Sequence, residues 1–168
     1  MPATIRRLFG NEWTELIVEA NTEQVAQSLY TPDEATALLD PQQHESSWLP
    51  NGHQTTLADF GAYVGGRLVG FMFVQRRDNG VAVLESLYVQ PDHRHFGFAR
   101  LLIRAGVEAA RDAGLPTIEI FAMDREPRAI AFWRRLLGPP NATGSVQMPG
   151  GRLTAQGWRL ETDSIKVV

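Results

Sequence analysis

Apolar and polar positions change period several times along this 168-residue chain, and each change predicts an element. Ala3 to Phe9 reads as a strand with Ile5 and Leu8 or Phe9 inward, and Gly10-Asn11 breaks it. Asn11 is placed to cap a helix from Glu12 to about Ala20. Trp13, Leu16, Ile17 and Ala20 form its apolar face, and Glu12, Glu15, Glu19 and Glu23 form the opposite stripe, which predicts a solvated face. Val25 to Tyr30 either extends this helix or begins another. Thr31 caps a second helix, Pro32 to Leu39, with proline at the first helical position and acids in the first turn. Asp40 to Asp59 is polar and reads as a loop with a helical turn near Ser47-Trp48; Trp48 and Leu49 either plug the core or touch a substrate.

Beyond this loop the period becomes that of strands. Phe60–Val64, Leu68–Gln75 and Val81–Val89 are three strands joined by turns at Gly65-Gly66 and Asp78-Asn79-Gly80. From Phe98 to Ala113 the apolar set Ala99, Leu102, Ile103, Gly106, Val107 and Ala110 lies on one helical face, and Gly114 ends the helix. Thr117–Met123 is a further strand, so the segment is a right-handed βαβ unit. Pro127 opens a helix that runs from Arg128 to Leu137, stopped by Gly138 and Pro139-Pro140. Ser145–Gln147 and Ala155–Glu161 make a final hairpin around Pro149-Gly150-Gly151. No repeat or linker interrupts the pattern, which predicts one domain over residues 1–168.

Composition removes several kinds of chemistry. There is no cysteine, so disulfides, thiolate catalysis and zinc-thiolate sites are excluded, and no metal is expected. No basic segment precedes an apolar run at the N-terminus and no apolar run is long enough for a bilayer, so a cytoplasmic protein without a membrane partner is expected. The net charge of −3 argues against nucleic acid as a partner. From Leu8 to Gly66 there are nine acids and neither lysine nor arginine.

The chemistry concentrates in Leu84–Gly114. A strand runs into a turn at Pro91-Asp92, then a loop, Arg94-His95-Phe96-Gly97-Phe98-Ala99, then a helix. The first N–H groups of a helix have no intrahelical partner and its dipole favours an anion. Gly97 and Ala99 keep side chains clear of a phosphate, and Gly97 can adopt a positive φ. The spacing Arg94-x-x-Gly97-x-Ala99 after Leu87-Tyr88-Val89 resembles the acetyl-CoA signature of the GNAT N-acetyltransferases, best over Phe60 to Gly138.

That resemblance implies an α+β GNAT fold: a mixed sheet in which an antiparallel meander leads to a splayed parallel pair, Val81–Val89 and Thr117–Met123, flanked by helices. It implies acetyl-CoA as acyl donor and an amine as acceptor. Pantetheine would pair with the backbone of Leu87, Tyr88 and Val89, and the pyrophosphate would rest on the loop and helix start, Arg94, His95, Phe96, Gly97, Phe98, Ala99 and Arg100. Arg128, Phe132 and Trp133 would complete the coenzyme side. Many relatives dimerise, so a homodimer is an open expectation.

An amine must shed a proton to attack a thioester, and a carboxylate in an apolar strand is unusual. Glu85 is therefore the candidate base, with burial raising its pKa, and alternation puts it on one face with Val83, Leu87 and Val89. Its bland counterpart is a rim glutamate in a salt bridge; Glu119 is a weaker second candidate. The last helix departs from the family's Asn-x-x-Ala-x-x-Phe-Tyr. Ala129 and Phe132 fit, but Glu126 replaces the asparagine and Trp133 the tyrosine, and indole is no acid. Either the thiolate leaves unassisted, or another hydroxyl such as Tyr88 serves, or the protein binds acyl-CoA without turnover. The acidic N-terminal part favours a small cationic or amino-acid-like acceptor. A protein N-terminus or lysine, or an aminoacyl-tRNA, are the alternatives; a Rossmann-type nucleotide binder does not fit a loop preceded by an antiparallel meander.

Overall fold

In the computed structural model, which describes residues 3–27, 29–43, 56–77, 79–148 and 151–166, seven strands join in one sheet. They are β1 (Thr4–Arg7), β2 (Thr56–Val64), β3 (Arg67–Arg76), β4 (Val81–Val89), β5 (Thr117–Met123), β6 (Ala142–Met148) and β7 (Gly151–Glu161). Their order is β1-β2-β3-β4-β5-β7-β6. Only β4 and β5 run parallel; every other neighbouring pair is antiparallel. Four α-helices accompany the sheet among the described residues: α1 (Thr14–Ala26), α2 (Pro32–Leu39), α3 (Phe98–Asp112) and α4 (Pro127–Leu137). The α+β class, the meander and the parallel pair all match expectation.

Two apolar clusters lie on the sheet. Met72, Val74, Leu84 and Val89 pack with Leu102, Ile103 and Val107 of α3, in a cluster that also takes in Trp133 and Trp158. Phe71, Phe73 and Tyr88 pack with Trp13, Leu16, Ile17 and Ala20 of α1. Consecutive residues of β3 thus serve opposite clusters, as the pleat requires.

β4 does not keep that alternation. Phe73 opposes Glu85, but Phe71 opposes Tyr88, so the strand carries one extra residue beside Met72. Ser86 takes φ 57 at this β-bulge. Strict alternation would put Glu85 with Leu87 and Val89. Instead Glu85 and Tyr88 oppose residues of the α1-side cluster, while Val89 packs on the α3 side with Leu87 against it. The bulge carries no glycine or proline to mark it, which is why periodicity missed it.

Other boundaries shift for local reasons. α1 continues through Ala26, and Trp13, not Asn11, is its N-cap, without a side-chain capping bond. Thr31 and Glu34 form the reciprocal capping box at α2. β2 starts at Thr56, because Thr56 and Ala58 pair with Gln75 and Val74. β6 and β7 are longer than the expected hairpin, since β7 pairs with β5 along Thr117–Met123. The readings of Trp48, Leu49 and the turn near Ser47 fall outside the described residues. No helix among the described residues is long and apolar enough to cross a membrane.

Gly70 is needed where β3 passes the end of β4. A Cβ there would lie 2.8 Å from the Tyr88 carbonyl oxygen and 3.3 Å from the Val89 Cα, both backbone atoms. Gly70→Ala is expected to cost about 1–3 kcal/mol in urea denaturation, because backbone must move to admit the methyl group. An unchanged midpoint would show that β4 can shift freely at this point.

Candidate active site

β4 and β5 pair from Val81 with Thr117 to Leu84 with Ile120, and no farther. Beyond that point β4 stays with β3 and β5 stays with β7. Glu85–Val89 and Phe121–Met123 therefore form the two walls of an opening split, and Glu85 is the first residue past the last pair. A split of this kind leaves backbone groups of both strands without a strand partner, which suits an amide-containing ligand.

The loop after β4 is shaped by its backbone. A short 3-10 turn at Pro91–His93 leads to Arg94; His95 then has φ 67 and Gly97 φ 86. Gly97 is the N-cap of α3, and its carbonyl accepts the Leu101 N–H at 3.1 Å. The N–H groups of Phe98, Ala99 and Arg100 precede that first helical bond and are available to an anion. His95, Phe96 and Arg100 are exposed and Ala99 is half-buried, while the Phe98 side chain is buried in the α3-side core. Phe98 can thus offer a ligand only its backbone.

Arg94 is placed differently from a free phosphate ligand. Its Nε donates to the Val89 carbonyl at 2.9 Å, and its two terminal nitrogens donate to the two carboxylate oxygens of Glu23 at 2.7 and 2.6 Å. This bidentate pair holds α1 to the end of β4. Hydrogen bonds from Arg94 keep the Glu23 carboxyl below its ordinary pKa against the opposing effect of burial. The Val89 carbonyl already accepts from Arg94, which leaves its N–H and one carbonyl lone pair for another partner.

The acidic stripe of α1 does not face water as its spacing suggested. Glu19 accepts hydrogen bonds from the Tyr88 hydroxyl at 3.1 Å and from Gln90 Nε2 at 2.7 Å. Glu23 also accepts from Tyr88, at 3.3 Å. Glu12 accepts from the Tyr63 hydroxyl and from the Phe9 N–H. Of the four, Glu15 alone is exposed. One residue beyond Glu23, Gln24 Nε2 donates to Glu126 Oε1 at 2.9 Å, and the Tyr30 hydroxyl donates to the same oxygen at 3.1 Å. Arg125 adds an ion pair to Glu34 at 2.8 Å. The last two turns of α1 therefore bridge the open end of the split, from β4 on one side to the β5–α4 turn on the other.

Two carboxyls near the split have raised pKa values. Glu85 is raised by burial, with Arg77 offsetting part of the effect. Glu126 is raised by burial against the hydrogen bonds from Tyr30 and Gln24. The Tyr88 phenol is also raised, by burial and by the Glu19 carboxylate. Glu119 is held by Arg77 at 3.0 Å and Arg159 at 3.6 Å, beside Val83 where β4 and β5 are still paired. It is a structural partner for arginines, away from the opening. Trp133 is buried in the α3-side cluster with Phe132 against it at 5.0 Å, edge to face, and Arg128 is exposed.

The profile of the acetyltransferase (GNAT) family matches residues 13–138. The chain belongs to the GNAT acetyltransferase family. No relative was found among proteins of curated function. Similar solved structures include the PaiA N-acetyltransferase of Thermoplasma acidophilum in complex with coenzyme A. It is 15% identical at a TM-score of 0.65, and the match covers 95% of this chain and 100% of that one. An N-acetyltransferase of Staphylococcus aureus Mu50 is 14% identical at a TM-score of 0.69, over 96% and 99% of the two chains. YncA of Salmonella typhimurium, solved with acetyl-CoA, is 18% identical at a TM-score of 0.61, over 98% and 96%. These likenesses establish the fold, and two of the neighbours carry coenzyme A or its acetyl ester.

Both strands of the split, the loop before α3 and the place of Glu85 on β4 are legible in the sequence, as is the departure at Glu126. The bulge, the inward turn of the α1 acids and the Gln24–Tyr30–Glu126 group are not. An Arg94→Ala, Glu23→Gln double-mutant cycle is expected to show a coupling of about 1–2 kcal/mol in stability, in keeping with a partly exposed bidentate pair. Because the Glu23 carboxyl is depressed, its contribution is full above the ordinary carboxylate value and is lost as pH falls through the depressed one. Denaturation curves against pH measure this, and additive single effects would show that the pair does not fasten α1.

Proposed function

We propose that this protein moves an acetyl group from acetyl-CoA to a small cationic or amino-acid-like amine, by direct attack of the amine nitrogen on the thioester carbonyl. The observation that carries the reading is the position of Glu85: half-buried, first past the last β4–β5 pair, and on one side with Tyr88 because of the bulge. The amine arrives as an ammonium ion. The Glu85 carboxylate takes one proton, the nitrogen–carbon bond forms, the carbon–sulfur bond breaks with the electron pair leaving on sulfur, and the second proton passes from the cationic nitrogen to that thiolate, giving the neutral amide and the free thiol. A carboxyl raised by burial is a better base than an ordinary one.

Departure of the sulfur needs no strong acid, because a thiolate is a modest base. Tyr88 gives little help, since its hydroxyl donates to two carboxylates that oppose its ionisation. Its position suits fastening β4 to α1. On the donor side, Leu87–Val89 would line the pantetheine and the α3 amides would hold the pyrophosphate, with exposed Arg100 and Arg128 adding positive charge. The Arg94 side chain would act through the brace to Glu23. On the acceptor side, Glu19, Glu23 and Glu126 lie over the open end, and among the described residues only Glu23 of the three pairs with an arginine, which favours a cation.

Trp133 favours a second reading, a protein that binds acyl-CoA without turning it over, since the phenol expected on α4 is replaced by a buried indole. Free-thiol release with acetyl-CoA and a panel of amines separates the two. Release with some amine is expected; coenzyme A binding with no release for any amine would favour the sensor.

Glu85→Gln is expected to lower kcat/KM by about 10²-fold or more while leaving acetyl-CoA affinity intact, and to remove the acidic limb of the pH–rate profile. A variant profile matching the wild type would remove Glu85 as the base. The same variant should be more stable than the wild type at neutral pH. Folding favours the protonated carboxyl, so the native state loses stability as pH rises through the raised value, and the gain from glutamine vanishes below the ordinary carboxylate range.

A further inference from the structure

Glu85 is one of two half-buried carboxyls at the split that make no ion pair among the described residues, with Arg77 acting on it only from a distance; the other is Glu126. Several acids elsewhere are paired: Glu12 with Arg6, Glu23 with Arg94, Glu34 with Arg125 and Glu119 with Arg77. Glu126 pairs with no arginine, lysine or histidine among the described residues. The guanidiniums beside it in the chain are committed or outside: Arg125 donates to Glu34, and Arg128 is exposed. Its donors are neutral, Gln24 and Tyr30, and both bind Oε1. Oε2 accepts no hydrogen bond from the described residues. Glu126 is the N-cap of α4, but its side chain makes no capping bond, and the helix dipole offers only a partial charge.

A mostly buried carboxylate with no countercharge is costly to hold, and a neutral amide would satisfy the same two donors more cheaply. The countercharge is then sought in a ligand. The place is suited to one, since Glu126 stands just past β5 at the open end of the split while Glu85 stands on β4 at its vertex. The reacting nitrogen must be neutral when it attacks, so it cannot be the lasting partner of Glu126. We infer that Glu126 binds a second, non-reacting cationic group of the acceptor, so that the acceptor is a diamine or an amine carrying a guanidinium on a flexible spacer. This rests on the acetyl-transfer reading and narrows its acceptor. Glu85 serves the end that reacts, and Glu126 the end that stays charged.

The test compares straight-chain α,ω-diamines with monoamines of the same length as acceptors, in wild type, Glu126→Gln, Tyr30→Phe and Glu15→Gln. The wild type is expected to favour the diamine in kcat/KM, and Glu126→Gln to lower the diamine-to-monoamine ratio about tenfold, the loss of one charge-assisted contact. The change should fall on the diamine KM. Tyr30→Phe removes a donor but leaves the carboxylate, and Glu15→Gln removes an exposed charge; both should keep the ratio. A wild type without diamine preference, or a ratio unmoved in Glu126→Gln, overturns the assignment. So does an equal fall of the ratio in Glu15→Gln, which would mean general charge attraction. If no amine is acetylated, the transfer reading fails, and calorimetric titration of the diamine into the coenzyme A-bound protein still decides. Binding weakened about tenfold in Glu126→Gln supports the contact, and equal or absent binding in both proteins refutes it.

Discussion

The rest of the site depends on one break in hydrogen bonding, the parting of β4 from β5 after Leu84 and Ile120. Buried backbone polar groups are expensive to leave unpaired, so a sheet that opens in its middle needs support on both sides. Here β3 holds one wall and β7 the other, each by antiparallel pairing. The opening is thus a fixed feature of a closed network of neighbours, and it fixes where a peptide-like ligand can lie. Glu85 gains its importance from standing at the vertex.

The bulge at Ser86 converts that opening into a site with a chemical sense of direction. One extra residue rotates the remainder of β4, so that Tyr88 joins Glu85 on the α1 side and Val89 returns to the α3 core. The cost is a non-glycine residue at positive φ, on the order of 1–2 kcal/mol. In exchange, the strand points polar groups toward the acceptor side and apolar groups toward the helix that carries the loop. α1 then spans the gap, bound to β4 through Glu19 and Glu23 and to the β5–α4 turn through Gln24. The loop before α3 and the end of α1 are in this way parts of one hydrogen-bonded structure, with Arg94 as their shared fastening.

Glu126 and Trp133 depart from the family pattern on the same helix. Trp133 moves a position tied to acid chemistry into the core, and Glu126 puts a carboxylate where the pattern has an amide. On the proposed transfer reading the two changes agree in direction: fewer protons offered to the leaving sulfur, more negative charge offered to the acceptor. A thiolate tolerates the first, and a cation is drawn by the second.

By itself the sequence determined the elements and the loop that leads into α3. The helical face from Ala99 to Ala110, the strand ending at Val89 and the small residues at 97 and 99 are local patterns, and local backbone physics is enough to place a phosphate-sized anion there. Gly97 behaves as its type predicts, and Thr31 caps α2 as its neighbours predict. What only the tertiary structure decided is which charges are free. Glu12, Glu19 and Glu23 repeat at helical spacing and look like a solvated stripe, yet each is consumed by a partner far along the chain. Arg94 has the spacing of a phosphate ligand, and its side chain braces Glu23 and the Val89 carbonyl. Spacing reports the face on which a side chain lies. Whether that face meets water, a strand or a countercharge depends on contacts between residues some 70 positions apart, as in Arg94 with Glu23, at 71, and no periodicity encodes them.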